Sequence, residues 1–329
     1  IDPEKGSVNA IAEALTNIIW APLANGIQSV SLSANWMWPC NNEGEDARLY
    51  QAVKACSDFA IALGINIPTG KDSLSMKQKY PEGEVLAPGT VIISAAGHCS
   101  DVKKVVTPVA KLNSGSLYYV DLCQDEFHLG GSSFAQNQNA IGRSAPTVQD
   151  ASYFKTVFNA VQDLIKKEKI EAGHDIGSGG LITTLLEMCF STNEMGMSLD
   201  FSSFEETDFA KLLFSEKPAI VLQSKENLTA LLKNQKIKVV KLGEVNAKGL
   251  LEFNSFEFNI AEMRKSWMST SAALEIQQTT PALAKSRAEN SLKQPLQFQF
   301  PANFNGKLPK PLKKKIKAAV LREKGSNSE

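Results

Sequence analysis

The sequence predicts an α+β fold in two units, and three observations predict it. From residue 9 to residue 96 the segments run helix, strand, helix, strand, strand, the order of a layered α+β domain. After Asn113-Ser114-Gly115, a turn signal, the apolar run Ser116 to Leu122 opens a second unit. At 329 residues and 43% hydrophobic content the chain has material for about two domains, each with its own core.

The elements follow in order. Ile11, Leu15, Ile18 and Ile19 recur at helical spacing, which predicts an amphipathic helix over residues 9–24, ended by Asn25-Gly26. Ile27 to Leu32 reads as a strand. Residues 44–64 read as a helix, with Glu45 and Asp46 in an acidic first turn and a stop at Gly64. Ile65 to Pro68 is a short strand, Pro81 to Gly89 a loop, and Thr90 to Ala96 a strand rich in β-branched residues. In the second unit Gly130-Gly131-Ser132-Ser133 opens a helix, and a long helix covers about residues 150–169. The glycine-rich run from Gly173 feeds a helix from Leu181 to Phe190. Ala219 to Gln223, Val239 to Leu242 and Leu250 to Phe253 read as strands, and residues 261–298 as polar helix or extended chain. A Lys/Pro cluster, Lys307 to Lys317, precedes a short apolar strand, Ala318 to Leu321.

Composition narrows the function. Lys plus Arg is 35 and Asp plus Glu is 35, so no net field draws the chain to nucleic acid or anionic lipid. No apolar run reaches the ~18 residues of a membrane span, and no basic-then-apolar leader is visible. The chain does not begin with Met, so we expect it to be a piece of a longer protein. Five scattered cysteines without a CxxC disfavour a zinc cage or disulfide scaffold and suit a reducing, cytoplasmic location. No GxSxG, HExxH or Cys/His pairing indicates nucleophilic catalysis.

Three stretches could carry chemistry. Glu13 and Asn17 lie four apart on one helix face, where a carboxylate and an amide oxygen can hold Mg²⁺; a solvated face is the alternative. Gly173 to Gly180 holds four glycines in eight residues before a helix, leaving backbone N–H groups free to approach an anion, with Asp175 placed to bind a bridging metal; taken alone, a tight turn with a helix cap is the plainer reading. Gly70-Lys71-Asp72-Ser73 follows a strand and offers a cation and a hydroxyl to a phosphorylated ligand, or is a plain polar loop. His174 is either a base or a loop histidine.

Taken together, Ala12-Glu13-Ala14-Leu15-Thr16-Asn17-Ile18, Leu32-Ser33-Ala34-Asn35-Trp36, Gly44-Glu45-Asp46-Ala47-Arg48-Leu49-Tyr50, Pro68 to Lys77 and His174 to Leu181 resemble the large, single-chain formylglycinamidine ribonucleotide synthetases of purine biosynthesis, in order and at compatible spacing. Ala318 to Ser328 is similar to the first strand and turn of that family's glutamine amidotransferase domain. The resemblance implies an ATP-dependent ligase in which glutamine-derived ammonia converts formylglycinamide ribonucleotide to the amidine. ATP would activate the substrate amide oxygen as an iminophosphate. It implies an aminoimidazole ribonucleotide synthetase-like N-domain over 1–112, truncated at its start, a C-domain over 113–272, a linker over 273–313 and the start of a class I glutaminase over 314–329. The chain would be the second half of the synthetase core. Its partners would be the first half and the glutaminase, whose nucleophilic Cys would lie beyond Glu329, with no nucleic acid or membrane involved. A non-catalytic nucleotide-binding or scaffolding module of the same superfamily is the alternative.

By the same resemblance, Glu13, Asn17 and Asp175 match Mg²⁺ ligands at an auxiliary, structural nucleotide site that holds ADP. Gly177 stands where relatives can carry a Ser touching the nucleotide, and it cannot supply that hydroxyl. Gly70, Lys71 and Ser73 match a turn contacting ATP and substrate; Lys71 replaces an Asn there, which favours a phosphate-facing cation over a metal ligand.

Overall fold

The computed structural model describes residues 1–293 and 298–310 together with 317, 319 and 321. Of the strand expected at Ala318 to Leu321, residues 318 and 320 lie outside the described residues. Among the described residues, no helix is long and apolar enough to cross a membrane.

Helix α1 (Pro3–Ile18) starts earlier than apolar spacing alone suggests. The Asp2 carboxylate caps it, accepting from the Glu4 and Lys5 N–H groups at 3.0 Å each, and Pro3 occupies the first turn, where no N–H is missed. Its buried face carries Ser7, Ile11, Ala12, Leu15 and Thr16. A 3₁₀ turn, Gly26–Ser29, takes up the residues expected to start a strand, so β1 runs Val30–Met37. Helix α2 (Glu45–Leu63) stops at Gly64, which is left-handed. Strand β2 (Asn66–Ser73) lies parallel to β1, with Ser33 opposite Thr69 and Asn35 opposite Lys71. The expected loop after Pro81 is instead a hairpin, β3 (Lys77–Tyr80) with β4 (Gly83–Leu86). Its residues are mostly exposed and show no apolar alternation, so only backbone pairing and the Lys77–Glu84 ion pair at 3.0 Å mark it. Strand β5 (Thr90–Gly97) pairs antiparallel with β1, completing the order β2-β1-β5.

The second unit is a seven-stranded sheet. Its strands are β6 (Ser116–Asp121), β7 (Ala172–Asp175), β8 (Gly196–Leu199), β9 (Ala219–Ser224), β10 (Val239–Asn246), β11 (Leu250–Phe253) and β12 (Phe256–Asn259). They stand in the order β12-β11-β8-β10-β6-β9-β7. The helices are α3 (Ser133–Asn137), α4 (Ala151–Lys166), α5 (Gly180–Glu187), α6 (Phe209–Phe214), α7 (Leu228–Leu232), α8 (Ile260–Gln278) and α9 (Pro281–Glu289).

Strand β6 is apolar on both faces because both are covered. Tyr118 and Val120 pack into one core with α4 and with Ile11, Leu15, Leu32 and Leu63 of the first unit. Leu117 and Tyr119 pack into a second core with Leu181 and Leu185 of α5 and Leu212 of α6. The first core thus spans both units, and α1 is held against the second sheet. Trp20, just past α1, lies so close over Gly173 that a Cβ there would come within 2.2 Å of its ring. Two backbone hydrogen bonds, Val106 N–H to Trp20 O at 3.0 Å and Gly173 N–H to Thr107 O at 3.1 Å, fix this joint.

Candidate functional site

Where α1 meets the turn after β7, a cavity of about 150 Å³ is lined by Asn9, Glu13 and Thr16 of α1, by Ile176, Gly177 and Ser178, and by Glu216 and Pro218. Asn9, Glu13 and Thr16 share the face because helical neighbours recur at three and four residues. Gly177 opens onto free space, with nothing within 4 Å of a Cβ built there.

The cavity is acidic. Glu13 is exposed overall, yet desolvation of its carboxyl at the cavity wall raises its pKa above its ordinary 4.5, and the charges of Asp175 and Glu216 push it the same way. Glu216 is held in place by two backbone donors, its Oε1 accepting from the Ser133 and Gly179 N–H groups at 2.8 Å each. It thereby ties the start of α3 to the start of α5 with a carboxylate, the charge those termini favour. Asp175 accepts from Trp20 Nε1 at 3.4 Å. Burial would raise its pKa, yet the hydrogen bond and charge of His174 outweigh that and hold it below 3.8.

His174 sits between two carboxylates, with Nδ1 3.4 Å from Asp175 and Nε2 3.1 Å from Glu187. Burial opposes its protonation, but hydrogen bonds and charges from Asp175 and Glu187 prevail and raise its pKa to about 9. At neutral pH it carries a proton and orients Asp175; a free base would need a lower value.

Of the residues singled out from sequence, Glu13 and Gly177 line the cavity, and Asp175 lies within electrostatic reach of Glu13. Asn17 is one turn further on and exposed; its Nδ2 donates to the Glu13 carbonyl at 2.9 Å, leaving Oδ1 free. Among the described residues, no group of three or more His, Cys, Asp or Glu is arranged as a metal cage.

Gly70 and Lys71 line a separate groove of about 470 Å³ with Trp36, Leu49 and Pro68. Lys71 Nζ donates to Asp72 O at 2.6 Å and to Ser73 Oγ, so the three act as one unit. Gly70 is required by packing, since a Cβ there would lie 2.4 Å from the Ala34 carbonyl on the neighbouring strand.

Two further residues of the cavity escaped the sequence reading. Asn9 sits four residues before Glu13, a spacing that could have revealed it. Its Oδ1 is buried without a partner while its Nδ2 donates to Pro146 O at 2.7 Å. Glu216 carried no spacing signal.

Residues 1–98 match the FGAR-AT PurM_N-like domain, and residues 116–254 match the C-terminal domain of AIR synthase related proteins. The Arabidopsis thaliana protein named "Probable phosphoribosylformylglycinamidine synthase, chloroplastic/mitochondrial" is 37% identical over 351 residues, covering 100% of this chain and 24% of that protein. The chain is similar over its whole length to phosphoribosylformylglycinamidine synthases. The Homo sapiens phosphoribosylformylglycinamidine synthase is 33% identical, over 100% of this chain and 26% of its own length. The chain thus spans about a quarter of the length of these relatives. Among solved structures, T. maritima PurL complexed with FGAR superposes with a TM-score of 0.61 at 12% identity, covering 80% of this chain and 43% of that one. The same protein complexed with ATP gives 0.56 at 11% identity, over 79% and 41%. These two likenesses establish the AIR synthase-like fold.

Proposed function

We propose that this chain supplies the second AIR synthase-like half of an ATP-dependent ligase core that converts formylglycinamide ribonucleotide to formylglycinamidine ribonucleotide with glutamine as nitrogen donor. Its own cavity serves in this reading as an auxiliary Mg²⁺-nucleotide site. The related first half and a glutaminase would complete the enzyme. The observation that carries the site assignment is the meeting of Glu13, Asp175 and Glu216 beside the open Gly177 turn. Mutually repelling carboxylates are relieved by a hard cation that takes oxygen ligands.

The oxygen donors are of the right kind for such a group, and Mg²⁺ would have to draw them together, since among the described residues they do not stand as a metal cage. Glu13, Asp175 and the free Oδ1 of Asn17 would hold Mg²⁺, and the unpartnered Asn9 Oδ1 adds an oxygen acceptor at the cavity wall. The bound Mg²⁺ would neutralise the carboxylates across the joint between the units, and the nucleotide's phosphates would complete its oxygen ligands, a structural service. At about 150 Å³ the cavity is below the ~300–1,000 Å³ that encloses a whole small molecule, so the nucleoside part would extend outside it. His174, protonated, keeps Asp175 ionised and oriented. Lys71, steadied by Ser73, would present a cation to a phosphate of the reacting nucleotide or substrate at the other groove.

Equilibrium dialysis of the chain against ADP, with Mg²⁺ and with EDTA, tests the auxiliary site. We expect retention of ADP only with Mg²⁺, and about tenfold or greater loss in Asp175→Asn and Glu13→Gln, since each removes a charge-assisted ligand. Retention that is indifferent to Mg²⁺, or unchanged in both variants, overturns the assignment.

A further inference from the structure

The chain does not end its path at α9. Residues 300–308 return to the first unit and lie against the turn Ser100–Lys104, which follows β5. We propose that this segment is a clasp, that the turn is its docking surface, and that it adds a third extended segment to the joint between the two units.

The joint is already a pair of extended segments. Residues 22–24, just past α1, run beside residues 98–100: Leu23 and Cys99 form an antiparallel bridge, Ala24 N–H donates to His98 O at 2.9 Å, and Ser100 donates to Pro22 O through both its N–H and its Oγ. The clasp binds the same stretch one bridge further along. Val102 N–H donates to Gly306 O at 2.8 Å, Leu308 N–H donates to Ser100 O at 3.2 Å, and Asp101 and Lys307 form a second antiparallel bridge. Bridges at Cys99 and at Asp101 tie the stretch to two different segments, and a stretch held at two points opens less readily than one held at a single point.

Side chains select this register. Lys103 Nζ lies 5.8 Å from the centroids of both the Phe300 and Phe304 rings, which stack on each other at 5.2 Å. A shared ammonium over two aromatic faces is attractive and is lost if the clasp slides by one residue. Gly306 is buried at the crossing with φ +77, and a Cβ there would come within 2.6 Å of Asp101 Oδ1 and 2.8 Å of Lys103 Cγ. Asp101 cannot retreat freely, because its Oδ1 also caps the turn by accepting from the Lys103 N–H at 3.1 Å. Glycine is required here by close approach and by backbone conformation alike. The consequence is that the polypeptide leaving the second unit is anchored on the first, so Leu308 starts its onward path from the joint rather than from the end of α9.

Amide hydrogen exchange on the full chain tests the clasp. In the unaltered protein the Val102 and Leu308 amides should both be protected. In Phe300→Ala/Phe304→Ala, and independently in Lys103→Ala, the protection of both should fall about tenfold or more while the α4 amides keep theirs. Gly306→Val should abolish the Leu308 protection. Exchange of Leu308 at the free-peptide rate in the unaltered chain overturns the clasp. Protection unchanged in both the aromatic double variant and Lys103→Ala overturns the role given to the Lys103 sandwich.

Discussion

Gln162 on α4 grips the backbone of Leu23 across the joint between the units. Its Oε1 accepts from the Leu23 N–H at 2.7 Å, and its Nε2 donates to the carbonyls of Ile19 and Ala21. Gln162 is 1% exposed. The chain leaving a helix carries backbone groups that the helix itself cannot satisfy, and here one side chain from the other unit satisfies three of them.

Replacing Gln162 with Leu should therefore cost more than its change in volume. Two buried backbone groups and one half-buried one would lose their partners, and a loss of at least about 2 kcal/mol follows. Urea unfolding measures it; a change below about 0.5 kcal/mol would mean that water reaches these groups.

Lys217 and Asp121 form a buried ion pair at 3.1 Å, each 2% exposed. Lys217 also lies over the Phe127 ring at 4.4 Å, and Asp121 Oδ1 accepts from the Cys123 and Gln124 N–H groups at 2.9 and 3.1 Å. Lys217→Met strands the carboxylate and should destabilise by about 3–5 kcal/mol. Adding Asp121→Asn removes the stranded charge while keeping an acceptor for both N–H groups, so the double variant should recover part of the loss. A double variant less stable than Lys217→Met in urea titration would contradict this account.

Asp125 supplies a pH dependence. Burial opposes its ionisation, but hydrogen bonds from Gln149 and from the Thr147 and Glu126 N–H groups, with the charge of His128, hold its pKa below 3.8. Between that depressed value and 3.8 the unfolded chain binds the proton more readily than the folded one. The contribution is thus fully present above 3.8 and is lost as pH falls through the folded value. Asp125→Asn should flatten the acid limb of a stability profile and leave the slope near neutrality unchanged. An identical acid limb in the variant would refute it.

The cysteines should separate by environment. Burial alone raises Cys56 to about 11 and Cys189 to about 12, and Cys123 is also buried and raised, first by burial and then by Asp121. Cys40 and Cys99 are only part-buried, and since Cys40 too is raised, by burial and by Asp46, Glu45 and Asp72, access is what sets this pair apart. Thiolate supply and access both govern reaction, so a disulfide reagent at mild pH should modify Cys40 and Cys99 in the native chain and reach the other three only with denaturant. Rapid native labelling of Cys123 would show that the second core opens.

Local pattern carried much of the architecture. The apolar spacing of Ile11, Leu15 and Ile18 marks the buried side of α1, and the unbroken run Leu117 to Val120 marks a strand covered on both faces, because side-chain periodicity is a property of neighbouring residues. The start of α1 was legible too, in the Asp2-Pro3 cap, although apolar spacing alone places it later. What local pattern does not carry are elements too short to show a period. The hairpin of β3 and β4, the four-residue β7 and β8, and helix α6 owe their existence to backbone partners or packing supplied from elsewhere.

The same division holds at the cavity. The sequence by itself determined that Glu13 and Asn17 share a helix face and that Asp175 precedes a glycine-rich turn, since both follow from spacing within one segment. Only the tertiary structure decided that Glu216 stands beside them, that Trp20 closes over Gly173 to reach Asp175, and that Asn17 turns its amide back on its own helix. Each of those depends on where α1 packs against the second sheet. Contacts between residues far apart in sequence are set by burial of the shared core, and no periodicity in the chain encodes them.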